Sequence, residues 1–530
     1  MRSFPAHCSL VPVDCELVKG WQSTTRPLCA SPMADTLWEK IEAEPLGKLG
    51  ELFRSEPDRL SLLTQDLAGI YFDWSKTHLD RKLIRNFLEL AKQRDFEAAR
   101  EALFAGAVVN PTEGRSATHV AERGTGSPDD VDLATSRRSR MRALVDAIEA
   151  GAFGDVTGVL HIGIGGSLLG PKLVVDSLGR GVSRVRTSFL SNIDPYAFEE
   201  AVEALDPATT LVAVVSKTFT TAETLANMEA ALDWLRRGGI SDPHGRVVGI
   251  TASPDNAVKA GIDETRILQF AESVGGRYSL WSSVSLVVAL ALGWSAFEEL
   301  LEGAAEMDRH FRYTAPEENV PLLAAFADVL YTHRFHAQTR ATFAYDERLR
   351  LLPFYLQQLE TESNGKSVTL DGAPVTGPTA PVIWGGTGTD AQHAVFQLLH
   401  QGTELIPVEF LGVTEEDTIL PEHHRQLLLN MFAQAAALMQ GRTSDNPHQS
   451  YPGDRPSATI LLNRLDARTL GALIAFYEHR TFAEAVLLGI NPFDQYGVEL
   501  GKAIARSLSE GEDKADLDPS TRALMKKAEL

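Results

Sequence analysis

The sequence predicts an α/β protein built as two layered sandwiches, and three observations carry that reading. Short β-rich runs alternate with helix-length amphipathic segments, the pattern of parallel strands covered by helices on both faces. The alternation occurs twice, separated by a mostly helical stretch from Tyr278 to about His336. Both halves repeat a strand, a Gly/Ser/Thr turn and a helix, with HIGIGGS and IWGGTGT the clearest pair.

Taken in order, residues 1–32 have no sustained apolar run and no helical period, so a poorly ordered extension is expected, with Met33 as the true start. From Met33 to about Leu103, TLWEKIEAE, RKLIRNFLELAKQ and DFEAAREALFAG space apolar residues by three and four, which predicts helices throughout. Asn110–Asp132 is polar and Gly-rich and reads as a loop, and RSRMRALVDAIEAG follows as a helix. GVLHIG (158–163), RVRTSFL (184–190), TLVAVVS (210–216) and RVVGIT (246–251) are the strands of the first alternation. ATFAY (341–345), PVIWGG (381–386) and ELIPVEFLG (404–412) are those of the second. The tail from Arg506 is charged and ends in a helix after Pro519.

The 530 residues are enough to bury a large core without disulfides or a structural metal. A net charge of −21 argues against a nucleic-acid or anionic-membrane partner, which would want a basic face. Cys8, Cys15 and Cys29 are the only cysteines and all precede Met33, so the body holds no disulfide framework or cysteine zinc site. HExxH is missing, and His333/His336 and His423/His424 lack clustered partners, so no metal site is expected. No run of about 18 apolar residues suits a membrane span. Three cysteines fit a reducing compartment, and a cytoplasmic location is expected.

Two turns have the chemistry of phosphate cradles. Gly163-Ile164-Gly165-Gly166-Ser167 follows a strand and opens a helix, where glycines permit close backbone approach and free N–H groups point at an anion. A tight turn with Ser167 as N-cap is the plainer reading. A dinucleotide fingerprint fails here at Leu168, and a P-loop fails at Pro171. Ser216-Lys217-Thr218-Phe219-Thr220-Thr221 gathers four hydroxyls and an ammonium at a second strand-to-helix turn. Thr220 with Glu223 fits a capping box, which uses one hydroxyl and leaves the others for a ligand.

Four groups suit acid–base chemistry. Arg277, between a glycine pair and a helix start, offers a fixed fork of donors for developing negative charge. Glu362 stands before a Ser-Asn-Gly turn as a candidate base, with Gln358 one helical turn earlier on the same face. His393 follows the Gly-rich loop GGTGTD and is a candidate proton shuttle. Lys502 lies in FDQYGVELGK. Each alone is more ordinarily a surface or structural residue.

Together, HIGIGGSLLGP, VVSKTFTTAETLAN, VGGRYSLWSSVS, QQLETESNGKSV, GGTGTDAQHAVFQLLHQG and FDQYGVELGK resemble the glucose-6-phosphate isomerase (phosphoglucose isomerase) family in order and spacing. The resemblance runs from about Met33 to the late 520s. It implies two sugar-isomerase-type three-layer αβα sandwich domains with parallel-rich central sheets, helical additions and a C-terminal helical tail. The small domain would span 120–292, the large one 33–119 with 293–505, and the tail 506–530. It implies interconversion of glucose 6-phosphate and fructose 6-phosphate, a step of glycolysis and gluconeogenesis, without a cofactor. It also implies a homodimer whose active sites are completed across the subunit interface.

Carried over by position, Ser216, Lys217, Thr218 and Thr221 would hold the phosphate, with Gly166 and Ser167 nearby, and Gln358 and Gln495 would hold the sugar. His393 and Lys502 would open the ring, Glu362 would move the proton between C2 and C1, and Arg277 would stabilise the cis-enediol(ate). Thr361 stands where many members carry methionine. A non-enzymatic sugar-phosphate sensor on the same fold would keep the hydroxyl-rich loop but need not keep Glu362, His393, Arg277 and Lys502 together. A preference for mannose 6-phosphate or an amino sugar phosphate stays open.

Overall fold

The computed structural model describes residues 32–415, 418–509 and 517–529. The expectation for residues 1–32 lies outside them except at Pro32, which opens the helix Pro32–Ala43. The helical reading of 33–103 needs a correction, because β1 (Thr64–Leu67) and β2 (Ile70–Asp73) form an antiparallel hairpin inside it. Its two-residue turn is Ala68-Gly69, both at positive φ (53° and 76°), a turn whose twist matches the flanking strands. Asn110–Asp132 is likewise not all loop. It contains the helical turn His119–Glu122 and the start of the helix Pro128–Glu149, capped by the Ser127 side chain.

The other strands fall where the β-rich runs predict them, with two additions. β3 (Gly158–Ile162), β4 (Arg186–Leu190), β5 (Thr210–Val215), β6 (Val247–Thr251) and the short β7 (Ile267–Gln269) form a sheet in the order β4-β3-β5-β6-β7. All its pairs are parallel. β5 is buried at every residue, as a parallel strand covered on both faces requires. The strand order reverses beside β3, and in such sheets ligands bind in the crevice at the carboxyl ends of the strands flanking that reversal. Here these are β3 and β5.

β8 (Thr339–Tyr345), β9 (Val382–Thr387), β10 (Val408–Val413) and β11 (Ser457–Leu462) join the hairpin in a second sheet, ordered β1-β2-β11-β10-β8-β9. It is parallel from β11 to β9, and β2 pairs antiparallel with β11. One apolar core reaches both sheets, from Ile41 through Val159 to Phe493.

At its centre the helix Ala467–Leu488 is buried almost throughout and packs against the helix Trp294–Tyr313. It carries charges into the core, and each finds partners. His479 pairs with Asp308 at 2.6 Å, and Arg480 reaches Glu360 at 2.8 Å and Glu409 at 2.7 Å. Removing one member of such a buried pair strands the other, at a cost of about 3–5 kcal/mol. By contrast, the helix Glu499–Ser509, which crosses the boundary expected at 505/506, is exposed from Glu499 to Arg506. The helix expected after Pro519 is Pro519–Lys527.

Candidate active site

Because β3 and β5 are neighbours, the turns that leave them lie side by side. After β3, the helix Gly166–Leu178 begins with Gly165 as its N-cap, at φ +56° and ψ −125°, a conformation suited to glycine. Ser167 is therefore in the first helical turn, not at the cap. A β-carbon at Gly166 would lie 2.1 Å from the Gly276 carbonyl, so this turn meets the segment that presents Arg277. Beneath it, His161 donates from Nε2 to the Ser167 carbonyl at 2.8 Å, and burial lowers its pKa to about 4, which keeps it neutral.

After β5, the hydroxyls interlock. Ser216 and Thr221 are 3.0 Å apart, Thr218 and Thr220 are 2.7 Å apart, and the Phe219 N–H donates to Ser216 Oγ at 3.1 Å. The helix Ala222–Arg237 starts after Thr221, one residue later than a cap at Thr220 requires, and Thr221 makes no side-chain cap. The capping box expected for Thr220 and Glu223 is thus not formed; Thr220 is turned to Thr218 instead. Lys217 is half-buried. Burial, then the charges of Arg115 and Arg277, lower its pKa below the ordinary lysine value, so an anion here would meet a cation with unmet demand.

Glu362 lies in the last turn of the helix Leu352–Asn364. At four-residue spacing, Gln358 and Glu362 share a face, and Gln358 Nε2 donates to Glu362 Oε2 at 2.9 Å. Arg277, 3% exposed, donates to the other Glu362 oxygen at 2.9 Å, to Ser363 Oγ at 2.7 Å and to the backbone oxygens of Pro492 and Asp494. The Tyr278 hydroxyl is 3.0 Å from Ser363 Oγ, and burial pushes its pKa up to about 12, so it stays protonated. The opposite face of this helix is locked down. Glu360 pairs with Arg340 and Arg480, and Asn364 donates to Glu484 at 2.8 Å.

The two halves meet at Gly165, where a β-carbon would lie 2.7 Å from Gln358 Nε2. Of the expected site residues, Gly166, Gln358, Arg277 and Glu362 converge, beside the turn that carries Ser216, Lys217, Thr218 and Thr221. Three others are not brought in within this single chain. Gln495 is exposed, although Asp494 beside it touches Arg277. His393 is exposed on the helix Gly388–Gln401. Lys502 is exposed and paired with Glu499 at 3.0 Å.

Sequence reasoning missed the residues that brace Arg277. Ser363 receives its Nε–H. Asp494 is itself held by Lys366 at 2.7 Å and by Thr112 at 2.7 Å. Lys366 and Asp494 lie inside the recognised motifs, and their opposite charges were the available signal.

Residues 73–525 match the family model for phosphoglucose isomerase. The chain belongs to the phosphoglucose isomerase family. Within that family, the glucose-6-phosphate isomerase of Rhizorhabdus wittichii is 61% identical over 497 residues, covering 93% of this chain and 99% of its own. The enzyme of that name from Zymomonas mobilis is 56% identical over 492 residues, covering 93% and 97%. The crystal structure of a glucose-6-phosphate isomerase from Chlamydia trachomatis aligns with a TM-score of 0.85 at 30% identity, over 95% of this chain and 99% of that one. The phosphoglucose isomerase resemblance read from the six motifs and the α/β fold it implied are both borne out.

Proposed function

We propose that this chain interconverts glucose 6-phosphate and fructose 6-phosphate in the cytoplasm, as a phosphoglucose isomerase at a step of glycolysis and gluconeogenesis. The observation that carries the reading is the pairing of Glu362 with Arg277 and Gln358 beside two phosphate-type turns. In this reading the phosphate of the sugar phosphate rests on Ser216, Lys217, Thr218 and Thr221 and on the helix N–H groups near Gly166 and Ser167. C1 and C2 then lie toward Glu362. Its carboxylate takes the C2 proton and returns it at C1, while Arg277 stabilises the charge that grows on oxygen. Gln358 orients the hydroxyls, and Gln495, exposed in the single chain, joins it once the site is completed.

His393 and Lys502 handle ring opening once they reach the sugar, and a second protomer is the means we propose. The exposed Glu499–Ser509 helix supports this, because Leu500 is 72% and Ile504 43% exposed on an otherwise amphipathic helix. A homodimer that covers this face would complete the active sites at the subunit interface. The division into a small domain (120–292) and a large one (33–119 with 293–505), followed by the 506–530 tail, agrees with one sheet drawn from 158–269 and the other from 64–73 and 339–462.

The test supplies fructose 6-phosphate to the purified protein and couples product to a glucose-6-phosphate-specific dehydrogenase. Steady turnover is expected. No signal from folded protein would refute the proposal.

A further inference from the structure

Glu122 stands apart from the paired charges described above. It ends the helical turn His119–Glu122 and is 4% exposed. Its carboxylate has no hydrogen-bond or ion-pair partner among the described residues; only the more distant charges of Arg137 and Arg138 act on it, and burial pushes its pKa up to about 7. With no partner from the chain itself, this carboxylate is left to water or to a ligand in the cleft that it lines.

Glu122 lines a cleft of about 430 Å³, a volume in the range of small-molecule sites. Arg115, Ser116, Thr118, Arg137 and Ser273 line it too. Arg115 is already engaged, 2.9 Å from Glu272. Arg137, half-buried on the helix Pro128–Glu149, has no ion pair among the described residues. The cleft therefore holds a carboxylate and a guanidinium, each without a direct partner among the described residues, together with hydroxyls and two further acids, Asp130 and Glu272.

We infer that this cleft binds a small hydroxylated organic anion, with its carboxylate or phosphate on Arg137 and its hydroxyls donating to Glu122. A guanidinium fork suits either anion, and vicinal hydroxyls supply the donors that Glu122 lacks. The cleft is lined by none of the residues assigned to the site built on Glu362, but it borders that site, because the charges of Arg115 and Glu272 act on Lys217. Thr118 Oγ1 is 2.6 Å from Ser273 Oγ, and the Thr118 N–H donates to the Ser273 carbonyl, four residues before Arg277. Occupancy would thus act on the segment that presents Arg277.

The experiment is calorimetric titration of glycerol 3-phosphate and, separately, of glycerate into the full chain carrying Lys217→Ala, which disables the phosphate turn. Saturable binding of at least one probe is expected, and comparing the two tells whether phosphate or carboxylate is preferred. Adding Arg137→Met or Glu122→Leu should each weaken binding at least about tenfold, equivalent to roughly 1.4 kcal/mol. Without ligand at pH 8, Glu122→Leu should leave the thermal midpoint unchanged or raised, because it removes an unpaired buried charge. The inference is overturned if neither probe binds, if binding survives both cleft substitutions, or if Glu122→Leu lowers the midpoint, which would make Glu122 a structural acid.

Discussion

Replacing Arg277 by lysine keeps the charge and removes the fork. The guanidinium bonds Ser363, Glu362 and the backbone oxygens of Pro492 and Asp494 in different directions. An ammonium on a single point cannot span those partners. Each buried acceptor left without a donor costs about 1–3 kcal/mol, so the thermal midpoint should fall. At the reacting centre, loss of one oriented donor to a developing oxyanion costs about 10²–10³ in kcat, roughly 2.7–4 kcal/mol. KM should move little, because Arg277 acts mainly on charge that appears after the proton leaves. Coupled assays over a range of fructose 6-phosphate separate the two constants. A kcat within about threefold of wild type, or a loss wholly in KM, would refute this role.

Other perturbations probe the remaining parts. The Lys217 pKa is lowered, so its neutral form appears at a lower pH than for an ordinary lysine, and KM should rise with pH from that lower point. Lys217→Arg stays charged and should flatten the profile; identical profiles for both proteins would contradict the assignment. Gly166→Ala puts a β-carbon 2.1 Å from the Gly276 carbonyl. It should cost about 1–3 kcal/mol of stability and lower kcat, and calorimetry with the coupled assay checks both. Leu500→Glu with Ile504→Glu should shift the sedimentation of the protein from dimer to monomer and lower activity in parallel. An unchanged sedimentation coefficient would exclude that helix from the interface.

How much the sequence disclosed depended on whether the cause was local. Parallel strands such as β5 announce themselves as short apolar runs, because both faces are buried. The β1–β2 hairpin did not, because Ala68-Gly69 lacks the usual Asn-Gly or Asp-Gly signal and amphipathic helices flank it. β7 is only three residues long, and β11 begins with Ser457 and Thr459 on a largely buried strand. Within the site, Gln358 and Glu362 were readable from four-residue spacing alone. Ser363 and Asp494 gain their roles from Arg277, 86 and 217 residues away, which no local pattern encodes. Glu122 was hidden differently, in a polar, Gly-rich stretch that reads as a connecting loop but contains a buried helical turn.

The central claim is that Glu362 carries the proton between C2 and C1. It is tested most directly by running the reaction in D₂O from fructose 6-phosphate and following deuterium at C2 of the product by NMR. Wild-type protein should incorporate deuterium, because the enediol(ate) exposes the carried proton to exchange. Glu362→Gln, with its amide still able to bond Arg277 or Gln358, should bind sugar phosphate and lose exchange and turnover together, by at least about 10²–10⁴-fold. Exchange or turnover at the wild-type rate in Glu362→Gln would contradict the account.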